Sequence, residues 1–595
     1  MGCARWRGSA DTGGVAPWEG VAYPLLDDRR RHVRVLTRRA PTAAATVRSH
    51  DAHPDHRFGS VGLVTALDGE TLTATARNSA TVAAWTLVSR ATGLLRVVVI
   101  GAVLGPTYFA NCFQAGYVVP NIVFTLIAGP ILAMVLVPGV VRAIGAGGLP
   151  RAREVLGRVA GWLLVVSSAV VVLLMIAAPV VAWTLSLGIS DPAQRARGFW
   201  LTTLLVGLVA PQVLLNCLAY LGMVAQRARG RFALASAAPA VENIVLILTV
   251  VLAGWYYGTG LDLDHVPVDM VVVLGVGSAS AVALHAALQL FGAARVGLLT
   301  RPSMRWKHDP EAVAVTRRLA RSVGVAACPA AAMYVLLALA GSVPGGVFVV
   351  QLSYAVLFSL SYVSARAVSM AALPGLAHAA HQEDAATFGS TWRQGLSYAV
   401  IASLPLLVLL AVFSGPTANI LANGELRHAA LIGPLAACLA VVAVAQLVGG
   451  MSDLGSQALY ARLDDRIPRR ASEVAFVVTV VVAAAALLVP ADGSRLVWLV
   501  VAILAGELAA AGMVLTRLRR VIRPERFIEL RTLAGALVAT VAMVPVTAAV
   551  WWIQHVLGGG QLSSLAVLTL GGIAALGVYA LVLRATMARR TGEAS

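Results

Sequence analysis

From about residue 80 to about residue 586, the chain alternates long apolar runs with short polar breaks. The runs lack the two-residue alternation of half-buried strands. Most reach about 20 residues, the length an α-helix needs to cross roughly 30 Å of hydrocarbon. The pattern predicts an all-α, polytopic membrane protein, because spanning β-strands would be shorter and would alternate. Fourteen spans are expected, at approximately 80–104, 109–142, 158–188, 199–226, 232–256, 268–295, 319–343, 346–376, 391–414, 428–461, 472–490, 494–516, 532–556 and 562–586. Several are longer than a bilayer requires, which implies tilting or breaking. Pro120, Pro130 and Pro138 are expected helix-kink positions, tolerable where a helix faces protein or a water-filled cavity.

The breaks between runs carry a second pattern. Strongly basic loops, such as Arg295 through Arg321, alternate with loops that are uncharged or acidic, such as the one holding Asp262 and Asp264. Arginine-rich loops stay on the cytoplasmic side during insertion, so the alternation predicts an even span count. Both termini are then cytoplasmic and the protein belongs in the cell (plasma) membrane. Residues 1–77 differ: polar, rich in arginine and without the apolar core of a signal peptide, they read as a disordered extension. No methionine occurs between Met1 and Met134, which leaves a start assigned too far upstream as an open reading.

A faint repeat adds an internal division. Val137-Pro138-Gly139 and Leu373-Pro374-Gly375 lie 236 residues apart, as do Ala225 and Ala461. The expected organisation is two six-helix lobes plus two C-terminal helices. Residues 78–300 form one lobe, 301–318 a basic cytoplasmic loop, 319–517 the second lobe, and 518–595 the last two spans and tail.

Composition excludes several functions. The chain is 58% hydrophobic and carries a net charge of +18, almost all from arginine, since Lys307 is the single lysine. These arginines fall between spans, so topology accounts for them better than nucleic acid does. Cys3, Cys112, Cys217, Cys328 and Cys438 are scattered, and suggest neither a disulfide framework nor a metal site. Lys307 lies between Trp306 and His308, not in a phosphate-binding Gly-Lys-Ser/Thr loop. No metalloprotease or hydrolase motif is evident, so no catalytic residue, metal or cofactor is expected, and transport is favoured over catalysis.

The candidate chemistry is charge inside the membrane. Ser89-Arg90-x-x-Gly93-x-x-Arg96 places two arginines within the first span. A guanidinium at membrane depth costs about 2.5–3.5 kcal/mol on insertion scales and does not lose its proton. The two lie about 9 Å apart along the helix and about 120° apart around it. A phosphorylated ligand in a wet cavity would offset the cost, with Ser89, Arg90 and Arg96 at the headgroup. The alternatives are snorkelling to the interface, or pairing with buried acids. Asn111, Asn121, Glu242, Asn243, Arg366 and Asp453 are further cavity or ion-coupling candidates, while Glu507 reads as a packing or interfacial group.

The first-span motif is followed by Pro120-Asn121, Val137-Pro138, Arg229-Gly230-Arg231-Phe232, Ala238-Pro239, Asn243, Ala372-Leu373-Pro374 and Tyr460-Ala461-Arg462-x-Asp464-x-Arg466-x-Pro468. In order and spacing these pieces resemble the MviN/MurJ lipid II flippases of the multidrug/oligosaccharidyl-lipid/polysaccharide exporter superfamily. The resemblance covers about residues 78–470. It implies alternating access of two lobes around a cationic cavity, with Arg90 and Arg96 as functional arginines. The implied substrate is a polyprenyl-pyrophosphate-linked peptidoglycan precursor, lipid II, moved from the inner to the outer leaflet without ATP. The expected partners are this anionic glycolipid and the bilayer, with cell-wall synthesis proteins as further candidates. The chain departs from the family pattern at Val97, Asn111, Phe124, Thr125 and Gly129-Pro130, and no arginine stands near Tyr354-Ala355. Export of another lipid-linked glycan, cation-coupled drug export through Glu242 or Asp453, and a non-transporting scaffold therefore remain alternatives.

Overall fold

The computed structural model describes residues 60–127, 129–308, 310–428, 431–522, 527–557 and 560–592. Most of the expected 1–77 extension lies outside them. The chain divides at Leu72/Thr73, and the membrane fold belongs to the larger unit that follows. Among the described residues, every regular element is helical. In order they are α1 (Ser60–Leu104), α2 (Tyr108–Ile127), α3 (Gly129–Ser186), α4 (Pro192–Val209), α5 (Gln212–Ala228) and α6 (Ala233–Tyr257). There follow α7 (Val268–Arg295), α8 (Pro310–Ala340), α9 (Gly346–Val363), α10 (Ala365–His381), α11 (Ala385–Val412) and α12 (Ser414–Leu421). The last are α13 (Ile432–Ala461), α14 (Arg466–Ala484), α15 (Gly493–Val521), α16 (Leu530–Leu557), α17 (Gln561–Ala566) and α18 (Gly572–Gly592), with short 3-10 or π turns between some of them.

Among the described residues, thirteen helical stretches are long and apolar enough to span a membrane. The remaining expected span, 319–343, corresponds to α8, whose apolar part is the shorter stretch Ala327–Ala340. Large apolar side chains stay on the outside of these helices, where lipid can cover them: Ile176 is 72% exposed and Leu252 60% exposed. Trp255 and Tyr256 close α6, and Trp551 and Trp552 lie in the last turns of α16, the places where amphipathic rings suit the membrane–water boundary.

The sequence offset recurs in the helices themselves. Helices α1 and α8 end at Leu104 and Ala340, α2 and α9 at Ile127 and Val363, and α3 and α10 begin at Gly129 and Ala365, the same 236-residue step each time. The second half of the expected 109–142 span and the 158–188 span run together in α3, broken at Gly147 and Gly148 within the loop expected between them. Gly148 has φ +67°, a conformation glycine adopts without a Cβ clash. The corresponding break between α10 and α11 carries Glu383 at φ +55°. There Asp384 caps α11, its carboxylate accepting from the Ala386 and Thr387 amides at 2.9 and 3.0 Å. Pro120 and Pro138 sit inside helices, whereas Pro130 is the second residue of α3, where a missing amide hydrogen costs little. The marked break in this region is thus at the glycine pair.

Helices α2–α7 pack mainly with one another, and α9–α15 do likewise; α8 touches α2 and α3 on one side and α14 on the other. Helix α16 packs on α11 and α18. One central cluster joins both sets through Val97, Leu337, Phe348 and Leu439. Here α1 crosses α9 so closely that a Cβ on Gly101 would lie 2.4 Å from the Phe348 ring. At one end the two sets are latched by polar contacts. Thr259 donates to Glu425 at 2.7 Å, and the Gly345 amide donates to the Thr107 carbonyl at 3.3 Å.

Candidate functional site

A chamber of about 520 Å³ lies among α1, α2, α8 and α9. Ser89, Arg90, Arg96, Asn121 and Asn243 line it, together with Tyr117, Gln351, Tyr354 and Phe358. None of the described residues lining it is acidic. Spacings of four and three residues put Ser89, Gly93 and Arg96 on one helical face, which explains their convergence.

Arg96 is anchored by neutral oxygens rather than by a carboxylate. Its Nη1 donates to Tyr117 Oη at 3.0 Å and to Asn243 Oδ1 at 2.9 Å. Asn243 is oriented in turn, its Nδ2 donating to the Ser89 carbonyl at 3.2 Å and to Thr92 Oγ1 at 3.1 Å. The Arg96 Nε is buried without a hydrogen-bond partner. A guanidinium offers five N–H donors in a planar fork, so neutral oxygens on one nitrogen leave most of its capacity unspent. The arrangement suits an anion with two adjacent oxygens, as a phosphate presents.

Arg90 is held by rings. Its Cζ lies 4.3 Å from the Tyr362 centroid and 5.6 Å from that of Phe358. Arg366 lies over the same two rings, at 4.7 and 5.5 Å. Tyr354, Phe358 and Tyr362 recur every four residues along α9, with successive centroids 5.6 Å apart. Each such cation–ring contact contributes about 0.5–1 kcal/mol where exposed and more where dry. It fixes a guanidinium's place without consuming its hydrogen-bond donors.

A second chamber, of about 430 Å³, holds the opposite charge balance. Arg366, Asp453 and Glu507 line it, and Pro329, Met333, Tyr354 and Phe358 form a wall common to both chambers. Arg366 Nε stands 4.0 Å from Asp453 Oδ2, so this arginine has a carboxylate counter-ion. Glu507, read from the sequence as a packing or interfacial group, faces this chamber beside Gly449.

The other expected residues lie elsewhere. Asn111 is buried; its Nδ2 donates to the Val343 carbonyl at 2.7 Å and its Oδ1 accepts the Val347 amide at 3.1 Å. It therefore ties α2 to the start of α9 and is not among the chamber's lining residues. Glu242 is turned toward α7, where His285 Nδ1 lies 2.7 Å from its Oε2. Tyr117, Thr92, Phe358 and Tyr362 complete the arginine sites without having been singled out in the sequence. The four-residue aromatic rhythm of α9 was the available signal for the last two.

A family model described as "Lipid II flippase MurJ" matches residues 100–570. The chain belongs to the MurJ family. The matched stretch begins just after Arg96, so the two arginines rest on the structure and on the motif. A "Probable lipid II flippase MurJ" of Vibrio cholerae is 27% identical over 240 residues, 39% of this chain and 43% of the relative. One of Haemophilus influenzae is 26% identical over 229 residues, 38% of this chain and 43% of the relative. The chain thus aligns with under half the length of these MurJ relatives. A solved MurJ structure in an inward closed conformation superposes with a TM-score of 0.65 at 14% identity, over 86% of this chain and 99% of that one. An inward-facing multidrug transporter of the MATE family superposes at 0.55 with 17% identity, over 73% and 94%. At these identities the likeness is one of fold.

Proposed function

We propose that this MurJ-family protein is a transporter, not an enzyme, that flips a polyprenyl-pyrophosphate-linked peptidoglycan precursor from the inner to the outer leaflet. The observation that carries the reading is the first chamber: two arginines, no acidic lining residue, and a buried Arg96 Nε with nothing to bond. Arg96 and Arg90 receive the pyrophosphate, Ser89, Asn121 and Asn243 supply polar edges, and the polyprenyl chain stays in lipid. Two helix sets joined through a shared wall suit alternating access, in which the latch around Glu425 and Thr259 opens as the opposite end closes. The alternation of loop charges supports a latch on the outer side and both termini in the cytoplasm. Asp453 and Glu507 serve the second chamber as ion-coupling groups. The chain should sustain growth of cells depleted of their own lipid II flippase, and Arg96→Ala should not, at equal membrane abundance. Failure of the unaltered chain to complement would move the substrate to another lipid-linked glycan. Complementation by Arg96→Ala would remove the headgroup site.

A further inference from the structure

Behind the arginine chamber a buried polar chain runs through the first set of helices. Tyr117, which accepts from Arg96, also interacts with the Glu242 carboxylate. Glu242 meets His285, and Gln289 Nε2 lies 3.4 Å from His285 Nε2. Gln226 on α5 ends the row, its Nε2 2.7 Å from Gln289 Oε1. The orientations are mutually determined. Gln226 Nε2 also faces the Gly222 and Gln289 carbonyls at 3.3 and 3.1 Å, so it is the donor and Gln289 Oε1 the acceptor. The Gln289 amide nitrogen then faces the Ala235 carbonyl at 3.1 Å and the histidine ring. His285 Nε2 therefore accepts, and the ring's one proton sits on Nδ1, donated to Glu242.

This geometry leaves Glu242 as the atom group at which a proton enters or leaves. A second proton on His285 would point Nε2–H at an amide donor, so the geometry leaves the carboxylate as the place for an added proton. Among the described residues, the further charged or titratable groups around the pair include Arg96 on α1, Tyr117 on α2 and Tyr220 on α5, with Arg90, Arg227 and Tyr362 facing Tyr220. While ionised, Glu242 balances Arg96 through the Tyr117 hydroxyl. We propose that Glu242, held by His285, is a proton-binding site coupled to the chamber, so that taking up a proton releases Arg96 to bind an anionic headgroup. By linkage, the headgroup strengthens proton binding by the same factor. Proton and anion thus load together. The inference rests on the headgroup reading only for the anion's identity.

Two measurements on the full chain in lipid nanodiscs test it. Infrared difference spectra between about pH 7 and about pH 3.5, which bracket ordinary glutamate titration, need no ligand. One component of the protonated-carboxyl band should be missing in Glu242→Gln but kept in Glu507→Gln; a spectrum unchanged in Glu242→Gln overturns the proton site. Binding of a prenyl sulfate, whose charge is constant over this range, should tighten about tenfold toward the acid end. Glu242→Gln should bind tightly at both ends, and Arg96→Ala weakly at both. Tyr117→Phe should keep the carboxyl band but lose the pH dependence, a result a purely structural pair would not give. Should Glu242→Gln not fold, this variant decides: tightening undiminished in Tyr117→Phe overturns the coupling. No prenyl sulfate binding at any pH, with the band intact, would contradict the headgroup reading and the coupling but leave the proton site standing.

Discussion

The two chambers share a wall and differ in what they do with arginine. In the first, Arg96 rests on neutral oxygens and Arg90 on aromatic rings, and no described lining residue is acidic. In the second, Arg366 has Asp453 beside it and Glu507 across the same cavity. An intramembrane charge paired with a carboxylate has already met its desolvation cost inside the protein. One held by neutral groups still carries its field into the cavity and lowers its energy further by meeting an anion. The proposed headgroup site in the first chamber and the proposed ion-coupling groups of the second both rest on this contrast.

Arg96→Ala should have the largest effect on that assignment. Charge-assisted hydrogen bonds contribute about 1.5–3 kcal/mol each, so headgroup affinity should fall roughly 10- to 100-fold, with Arg96→Lys intermediate because a single ammonium replaces the fork. Native mass spectrometry of bound polyprenyl-pyrophosphate lipid would report it. A middling effect is expected from Tyr362→Ala. Loss of a ring contact worth about 0.5–1 kcal/mol should weaken binding two- to five-fold by releasing Arg90, while Tyr362→Phe should restore it. Smallest at the headgroup are Asp453→Asn and Glu507→Gln, which should change affinity by less than about twofold yet alter how translocation responds to ion gradients in proteoliposomes. A strong affinity loss in these two would erase the difference between the chambers.

A separate prediction concerns the scaffold that holds the chambers apart. Asn111→Ala should lower stability by about 1–3 kcal/mol, because it strands the buried Val343 carbonyl and Val347 amide, with little change in headgroup affinity for whatever fraction folds. Thermal melting and binding on the same preparation separate the two.

How much of this the sequence disclosed follows from the range of each interaction. Spans were legible because hydrocarbon thickness imposes a length on every one of them. The 236-residue step was legible because proline-glycine pairs recur at corresponding helix positions. The glycine break within α3 falls in the expected loop between the 109–142 and 158–188 spans, whereas the division of the first of these between α2 and α3 was hidden by its continuous apolar run. Arg90 and Arg96 stood out as costly charges, and Asn243 through its motif. What joined them did not: Tyr117 and Tyr362 meet these arginines only through helix packing, and one tyrosine in an apolar run resembles any other. Asn111 shows the reverse case. Its polarity inside a span suggested a cavity, whereas its partners are backbone groups at a helix start, invisible without the fold.

The central claim is that the arginines of the first chamber, whose direct partners there are neutral groups, receive the pyrophosphate. A structure of the chain with a bound polyprenyl-pyrophosphate lipid tests it most directly. The diphosphate should lie against Arg96 and Arg90, with the Arg96 Nε now donating to a phosphate oxygen. A diphosphate bound in the second chamber, or outside both with Arg96 Nε still bare, would contradict it.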